Sequence, residues 1–241
     1  MNFGTLYGIG IGPGDPDLIS VKGAKLLGEC RHVIVPKAGP SAGSLALAIA
    51  GKHIRPDAKI HEMVFPMVAD SGPLNRHWEA SADRTAEILG TAQDACYLTL
   101  GDPLLYSTYI YLVRALKRRH PQIGIVTVPG ITAFSAAAAL MDFPIGEAKT
   151  PVVIIPTADD SADLQKALET RGTVILMKVG NRLPQILQIL EEHRVLDRSV
   201  LVSRAGLPDQ RIETDLRQLA DDPRAGYLSI ILVRASGKET S

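Results

Sequence analysis

The sequence predicts an α/β protein with two domains, and three observations lead to this fold class. Short apolar segments alternate with amphipathic segments of helical period through the first half, which favours a mainly parallel sheet. The segment Asp142–Pro151 has no period and contains two prolines, so we interpret it as a link. A second, shorter series of strands and helices follows it. We therefore expect an N-terminal domain over 1–142 and a C-terminal domain over 150–241.

The first half is predicted to begin with a strand, a glycine-rich loop and a helix. Asp15 suits the N-cap of this helix and Pro16 its first position. In a later helix, the spacing of Leu105, Tyr109 and Leu112 indicates one buried face. The predicted strands are Thr5–Ile11, Val33–Val35, Ile60–Phe65, Ala95–Leu100 and Ile125–Val128. The predicted helices are Asp17–Glu29, Ser44–Ala50, Pro73–Gly90, Leu104–Arg119 and Thr132–Met141.

The second half repeats the alternation with shorter apolar segments. These segments are rich in β-branched residues, and helical periods lie between them. The predicted strands are Val152–Ile155, Thr173–Val179, Val200–Ser203 and Leu228–Arg234. The predicted helices are Ser161–Glu169, Leu183–Glu192 and Thr214–Ala220.

Composition excludes several classes of protein. Lys and Arg together number 26, as do Asp and Glu, so the formal net charge is zero and a nucleic-acid partner is not expected. Cys30 and Cys96 lie far apart in the sequence, without a CxxC motif, and the histidines show no ligand spacing. We therefore expect no disulfide framework and no protein metal site, with Cys96 as a buried core thiol.

No signal peptide is visible at the amino terminus. One uncharged run, Pro121–Met141, is long enough to consider as a membrane span. Pro129 and Gly130 interrupt it, its first half is β-branched and its second half is rich in alanine. A strand, a turn and a helix explain this run better, so we expect a soluble cytoplasmic protein with no membrane partner.

The glycine-rich loop after the first strand is the most distinctive stretch, and it invites comparison with a dinucleotide site. That site requires G-x-G-x-x-G. Gly8 and Gly10 would need a third glycine where Pro13 stands, and Gly10 with Gly12 would need one where Asp15 stands. Because the fingerprint fails in both registers, a dinucleotide-dependent oxidoreductase is disfavoured. A plain strand–helix turn with a good cap remains an alternative.

Loops rich in Gly, Pro, Asp and Thr also follow two later strands. One is Leu100–Thr108 and the other Val128–Ser135. Ligands of open α/β sheets bind at the carboxyl ends of the strands. All three loops are therefore expected to face one crevice.

These motifs resemble those of the tetrapyrrole (corrin/porphyrin) methylases, the class III S-adenosylmethionine-dependent methyltransferases. The resemblance covers nearly the whole chain and implies two α/β domains with an active-site cleft between them. It also implies a homodimer. The motifs that carry it are Gly10–Pro16, Gly101–Pro103, Pro129–Ala133, Met177–Gly180 and Tyr227–Ile231.

Within this family the chain looks most like the C-20 methyltransferases of precorrin-2 and cobalt-factor II. This resemblance implies methylation at C-20 in cobalamin (vitamin B12) synthesis. Relatives that act on uroporphyrinogen III tend to carry an aspartate near the end of the second strand, where this chain reads Val-Pro-Lys. Methylation at another ring position or of uroporphyrinogen III, and a non-catalytic cofactor-binding module, stay open as alternatives. The features that point to C-20 are Gly4–Gly8, Val35–Lys37 with Ser44–Ala46, Phe65–Met67 with Trp78, and Leu105–Tyr109.

The resemblance also implies which residues hold the cofactor, S-adenosyl-L-methionine, and its product S-adenosyl-L-homocysteine. Residues of the first loop would line the edge of the cofactor. Residues of the second loop would contact its amino-acid portion and its ribose. The third loop would hold the methionine portion, and residues of the C-terminal domain would surround the adenine. The implied cofactor-binding residues are Pro13, Gly14, Leu100, Gly101, Asp102, Leu105, Thr132, Ala133, Val179, Ala205 and Leu228.

The chemistry requires little from acid–base groups, because a sulfonium methyl is already activated and the ring carbon is electron-rich. Tyr106 and Asp15 are candidates to assist the loss of a proton. Packing under the loop explains Tyr106 at least as well, and helix capping is favoured for Asp15. Lys37 and Arg76, predicted in loops after the second and third strands, are candidates to bind substrate carboxylates. A surface charge is the alternative for both. Any cobalt would arrive with the substrate.

Overall fold

A computed structural model of the chain describes residues 2–37, 39, 43–65, 71–90, 92–156, 161–219, 222 and 225–236, with only the backbone of 71–75 and 236. The chain divides into two compact units, Met1–Thr132 and Ala133–Ser241. Each unit has its own five-stranded sheet, which confirms the α/β class. The predicted end of the N-terminal domain at residue 142 and the predicted start of the C-terminal domain at residue 150 stay predictions.

The first unit is built on a parallel sheet. Its order is β3-β2-β4-β1-β5, which places β1 between β4 and β5. Because parallel strands end at one edge, the loops after β1, β4 and β5 start side by side. The strands are β1 (Leu6–Gly10), β2 (His32–Lys37), β3 (Lys59–Val64), β4 (Ala95–Thr99) and β5 (Ile125–Val128). The helices are α1 (Val21–Glu29), α2 (Leu45–Ala50), α3 (Ser71–Leu89) and α4 (Tyr109–Arg119), with 3₁₀ turns at Pro16–Leu18 and Gly51–His53.

Two buried tyrosines connect α4 to the centre of this sheet. The hydroxyl group of Tyr97 lies 3.1 Å from Thr108 Oγ1, and that of Tyr109 lies 3.0 Å from Thr127 Oγ1. Burial raises the pKa of both phenols. A Cβ atom on Gly8 would lie 2.2 Å from the Tyr109 ring, so this position of β1 requires glycine. The packing fixes the start of α4 against β1.

The first helix begins later than predicted. We expected it at Asp17, whereas α1 begins at Val21 with Ser20 as its N-cap, whose Oγ accepts a backbone N–H at 3.1 Å. The predicted cap Asp15 serves only the short turn Pro16–Leu18. The extended backbone of Ser20, with ψ of 145°, separates the two elements.

The predicted start of α4 at Leu104 is also wrong, because the helix begins at Tyr109. Tyr106 has a φ of +51°, which an α-helix does not accommodate. The preceding residues form a loop, and Leu105 therefore does not belong to the helical stripe. The rest of that stripe is confirmed, since Tyr109, Leu112 and Leu116 are fully buried.

The second unit has a mixed sheet of order β6-β7-β10-β8-β9, in which only β6 and β7 pair in parallel. Strand β9 was not predicted, because Arg211 and Glu213 flank a single apolar residue. The predicted helix Thr214–Ala220 is a 3₁₀ turn, Leu216–Leu219, and Ala220 lies outside the described residues. The strands are β6 (Val152–Pro156), β7 (Arg171–Met177), β8 (Ser199–Ser203), β9 (Arg211–Glu213) and β10 (Ser229–Ser236). The helices are α5 (Ala133–Leu140), α6 (Ala162–Leu168) and α7 (Leu183–Glu192), with 3₁₀ turns also at Gly180–Arg182 and Leu196–Arg198.

The uncharged run Pro121–Met141 folds as predicted, into β5, a turn and α5. Within the described ranges, no helix combines the length and the apolar character needed to cross a membrane.

Two histidines of the first unit, His32 and His61, lie in hydrogen-bond contact. His32 Nδ1 lies 2.9 Å from His61 Nε2, and His32 Nε2 lies 2.9 Å from Gln93 Oε1. Burial lowers the pKa of His61, and the neighbouring His32, Arg84 and Lys59 lower it further. The folded state therefore resists protonation of a side chain whose pKa in an unfolded chain is about 6.5.

The free energy of unfolding should therefore fall as the pH drops below about 6.5, and this loss should level off below the folded pKa of His61. Urea titrations between neutral and mildly acidic pH measure this. In the His61→Gln variant the slope over this range should be shallower. Equal slopes in both proteins would contradict the assignment.

Candidate active site

The loops after β1 and β4 are joined directly by their backbones. Ile11 N donates to Thr99 O at 2.9 Å, and Gly101 N donates to Gly12 O at 2.8 Å. Gly12 and Gly101 form an isolated antiparallel bridge. Pro13 and the glycine after it are buried beside this bridge. The two predicted loops are thus one connected structure.

The Asp102 carboxylate connects this pair of loops to the loop after β5. Its Oδ1 accepts the N–H of Leu104 at 2.9 Å, and its Oδ2 accepts the N–H of Gly130 at 3.0 Å. One side chain therefore shapes its own loop and holds the neighbouring one. Sequence analysis placed Asp102 at the site but did not predict this bridging contact.

Three glycines allow the loops to approach this closely. A Cβ atom on Gly130 would lie 2.2 Å from Gly101 O, and one on Gly10 would lie 2.5 Å from Gly130 N. Gly101 itself has a φ of +69°, a conformation that favours glycine. Gly10 and Gly130 are therefore required by contacts between backbones, and Gly101 is favoured by its backbone conformation. The dinucleotide fingerprint does not describe these requirements.

The structure places the seven predicted cofactor residues of the first unit on these three loops. All seven follow a strand at the carboxyl edge of the sheet, where α/β proteins bind ligands. They are Pro13, Gly14, Leu100, Gly101, Asp102, Leu105 and Thr132.

The other four predicted cofactor residues belong to the second unit. Ala133 is the first residue of α5. Val179 follows β7, Ala205 follows β8, and Leu228 precedes β10, so these three lie at one edge of the mixed sheet. The backbone N–H of Arg204 donates to Leu228 O at 3.0 Å, which joins two of these loops. The side chains of Val179 and Ala205 are buried, so their backbones are the groups best suited to a ligand.

The two candidate proton-transfer residues differ in their surroundings. Tyr106 lies in the β4 loop, and its side chain is 40% exposed. Asp15 Oδ1 accepts the N–H of Asp17 at 2.8 Å, so the capping role that we considered is present.

We predicted that the two candidate substrate-binding cations lie in loops, and this prediction is wrong. Lys37 is the last residue of β2, and Arg76 lies within α3 with an exposed side chain. Lys37 Nζ lies 3.0 Å from Glu62 Oε2 on β3, and the lysine side chain is only 10% exposed. Sequence analysis missed Glu62, because its proximity depends on the register of β2 and β3.

In the parts of the chain that the structure describes, no group of three or more His, Cys, Asp or Glu side chains is placed to hold a metal ion.

The chain is similar in sequence to a family of known proteins. Residues 5–220 match the sequence model of the family described as Tetrapyrrole (Corrin/Porphyrin) Methylases. The chain is 33% identical to a cobalt-precorrin-2 C(20)-methyltransferase of Salmonella typhimurium, over 95% of this chain and 96% of the relative. It is 32% identical to a precorrin-2 C(20)-methyltransferase of a Sinorhizobium species, over 95% of both chains.

The fold also resembles that of a solved structure with bound ligand. That structure is uroporphyrin-III C-methyl transferase from Thermus thermophilus complexed with S-adenyl homocysteine. The two align with a TM-score of 0.66 and 18% identity, over 95% of this chain and 97% of the other. This similarity supports the architecture derived above.

Proposed function

Because the chain belongs to the tetrapyrrole (corrin/porphyrin) methylase family, we propose that it transfers a methyl group from S-adenosyl-L-methionine to C-20 of precorrin-2 or cobalt-factor II in cobalamin biosynthesis. The observation that carries the proposal is similarity to two C(20)-methyltransferases over 95% of the chain. The joined loops at the carboxyl edge of the first sheet support a cofactor site there, because ligands of open α/β sheets bind at this edge.

Residues at the carboxyl edge of the first sheet, and at the edge of the second sheet that carries Val179, suit this cofactor. A Cβ atom on Gly101 would have nothing nearer than Ile131 O at 4.0 Å, and one on Gly180 would have nothing within 4 Å. Each of these two glycines therefore has room beside it for at least one further atom. The carboxylates of Asp15 and Asp102 suit a cationic ligand better than an anionic one. When bound, the cofactor supplies an electrophilic methyl group.

The main contribution of the protein is to orient the substrate and to exclude water. In the first unit, backbone groups of the joined loops would hold the amino-acid and ribose portions, and Thr132 would hold the methionine portion. In the second unit, the backbones of Val179 and Ala205 would bind the adenine, with Leu228 beside it. We assign to Tyr106, which is partly exposed on the β4 loop, the role of assisting loss of the ring proton, with Asp15 as the second candidate.

We assign Lys37 to the substrate carboxylates, because it is a cation at the carboxyl end of β2. Arg76 on α3 is the second candidate. We further propose a cytoplasmic homodimer that takes a small tetrapyrrole and no nucleic acid. The zero formal charge and the family resemblance support these assignments.

Replacing Lys37 with methionine should raise the KM for the tetrapyrrole about 10–100-fold, the effect of losing one charge-assisted hydrogen bond. The affinity for S-adenosylhomocysteine should stay unchanged. Lys25→Met is the matched control, because Lys25 is 74% exposed on α1. An unchanged KM in Lys37→Met would remove Lys37 from the substrate site.

Calorimetry separates the proposed cofactor from a dinucleotide. We expect S-adenosylhomocysteine to bind the purified protein and NADH to give no heat of binding. Binding of NADH alone would replace the proposal with an oxidoreductase.

The position of methylation requires a separate experiment. With a ¹³C-labelled methyl donor, the NMR spectrum of the product should place the label at C-20. A label at another ring carbon would keep the methyltransferase activity and overturn the assigned position.

A further inference from the structure

A surface cavity of about 240 Å³ lies at the amino-terminal edge of the first sheet. Tyr7 of β1, Arg31 before β2 and Asp94 before β4 are among the residues that line it. The joined loops of the candidate active site lie at the opposite, carboxyl edge of the same strands. Among the described residues, none that we assign to the cofactor or to the substrate lines this cavity. Its chemistry is therefore separate from that of the candidate active site.

The backbone around the cavity is held by contacts between neighbouring segments. Arg55 N donates to Leu27 O at 3.3 Å, which connects the segment before β3 to α1. A Cβ atom on Gly4 would lie 2.1 Å from Gln93 O, so the chain before β1 packs directly against the turn before β4. The polar side chains of the wall are therefore carried by a fixed frame, as in a pre-formed ligand site.

Two of the four charged side chains in the cavity wall already have partners of opposite charge. Arg55 Nε lies 2.6 Å from Asp57 Oδ1, and Arg55 Nη1 also donates to Glu29 O at 3.0 Å. The Glu29 carboxylate lies 3.9 Å from Lys25 Nζ. The charges of Arg55 and Glu29 are therefore balanced within the protein.

The other two charged side chains, Arg31 and Asp94, have no such partner. Across the ranges that the structure describes, neither forms an ion pair of 4 Å or shorter. Asp94 Oδ1 accepts the N–H of Thr5 at 2.7 Å, which fixes the carboxylate and leaves its second oxygen available. Gln93 Oε1 lies 2.9 Å from His32 Nε2, which fixes the amide and leaves its nitrogen available to donate. The wall thus presents one cation, one carboxylate and one amide donor.

We propose that this cavity binds a small dipolar molecule of the α-amino-acid class. Arg31 and the Gln93 amide would bind the carboxylate, and Asp94 the ammonium group. Leu26, also in the wall, offers an apolar contact for the side chain. A ligand with both charges satisfies both groups, whereas a simple anion would face Asp94 and a simple cation would face Arg31. The cavity has the volume of about eight water molecules of the liquid, which suits a ligand of this size.

A titration of the ¹⁵N-labelled full chain with L-leucine, followed by NMR, tests the proposal. L-Leucine is the probe because its apolar side chain adds no third charge. The backbone signals of Arg31, Gln93 and Asp94 should shift saturably and by the largest amounts. N-Acetyl-L-leucine keeps only the carboxylate and L-leucinamide keeps only the ammonium group. Each should bind at least about tenfold more weakly, because one charge-assisted contact is lost.

Arg31→Gln should also weaken the binding of L-leucine at least about tenfold, with little effect on the melting temperature, because Arg31 is exposed. Arg118→Gln is the matched control, since Arg118 is exposed in the last turn of α4 and does not line the cavity. It should bind L-leucine as the wild type does.

Neither arginine variant should change the affinity for S-adenosylhomocysteine, so the proposed methyl transfer stands or falls separately. Three results would overturn the proposal: no saturable shift at millimolar L-leucine, equal binding of L-leucine and its two singly charged derivatives, or wild-type affinity in Arg31→Gln.

Discussion

Replacing Gly130 with alanine should abolish measurable binding of S-adenosylhomocysteine and lower the free energy of unfolding by about 1–3 kcal/mol, the usual cost of overpacking. The added Cβ would lie 2.2 Å from Gly101 O and 2.7 Å from the backbone of Gly10. These neighbours are all backbone atoms, so no side-chain rotation relieves the contact. The loops after β1, β4 and β5 would have to separate. Isothermal titration and urea unfolding measure the two effects.

Gly28→Ala is the matched control for this substitution. Gly28 lies on α1, and the nearest atom to an added Cβ is His53 O at 3.8 Å. Alanine is favoured over glycine in a helix by about 1 kcal/mol, so this variant should be as stable as the wild type or more stable. Its affinity for the cofactor product should be unchanged. Normal binding by the Gly130→Ala protein would show that the contact between the loops is not required for the site.

Asp102→Ala should weaken the binding of S-adenosylhomocysteine at least about tenfold while the chain still folds. The substitution leaves the N–H groups of Leu104 and Gly130 without the acceptor that they have at 2.9 and 3.0 Å. Hydrogen bonds to a charged group contribute about 1.5–3 kcal/mol each, and part of this energy positions the loops for the ligand. Titration calorimetry gives the affinity, and thermal melting shows that the fold persists.

Two further variants separate binding from general stability. Asp102→Asn keeps one oxygen acceptor and should lose less affinity than Asp102→Ala. Asp94→Ala removes a carboxylate that accepts the N–H of Thr5 at 2.7 Å at the other edge of the same sheet. It should lower the melting temperature without changing cofactor affinity. Equal cofactor affinity in Asp102→Ala and the wild type would exclude Asp102 from the site.

Much of the first unit was predictable because its signals are local. Apolar segments marked the strands, and the loops after β1, β4 and β5 carried recognisable residue types. The start of α4 was not predictable, since helical spacing continues through Leu105 while Tyr106 adopts a positive φ.

Contacts set by tertiary structure were the least predictable part of the site. The sequence indicates that Asp102 is polar and near a strand end, but the N–H of Gly130 reaches it only after β1 has paired with β5. The ion pair of Lys37 with Glu62 likewise requires the register of β2 and β3. Strand β9 was missed for a different reason, because an edge strand with charged residues has little apolar pattern to detect.

The proposed reaction of this chain is the methylation of an early corrin precursor. The most direct measurement is a mass-spectrometric assay of the purified protein with S-adenosylmethionine, testing precorrin-2 and cobalt-factor II side by side. We expect at least one substrate to gain the mass of a single methyl group, with formation of S-adenosylhomocysteine and no gain when the methyl donor is omitted. Absence of a single-methyl product from both substrates, with a protein that binds S-adenosylhomocysteine, would contradict the proposed function.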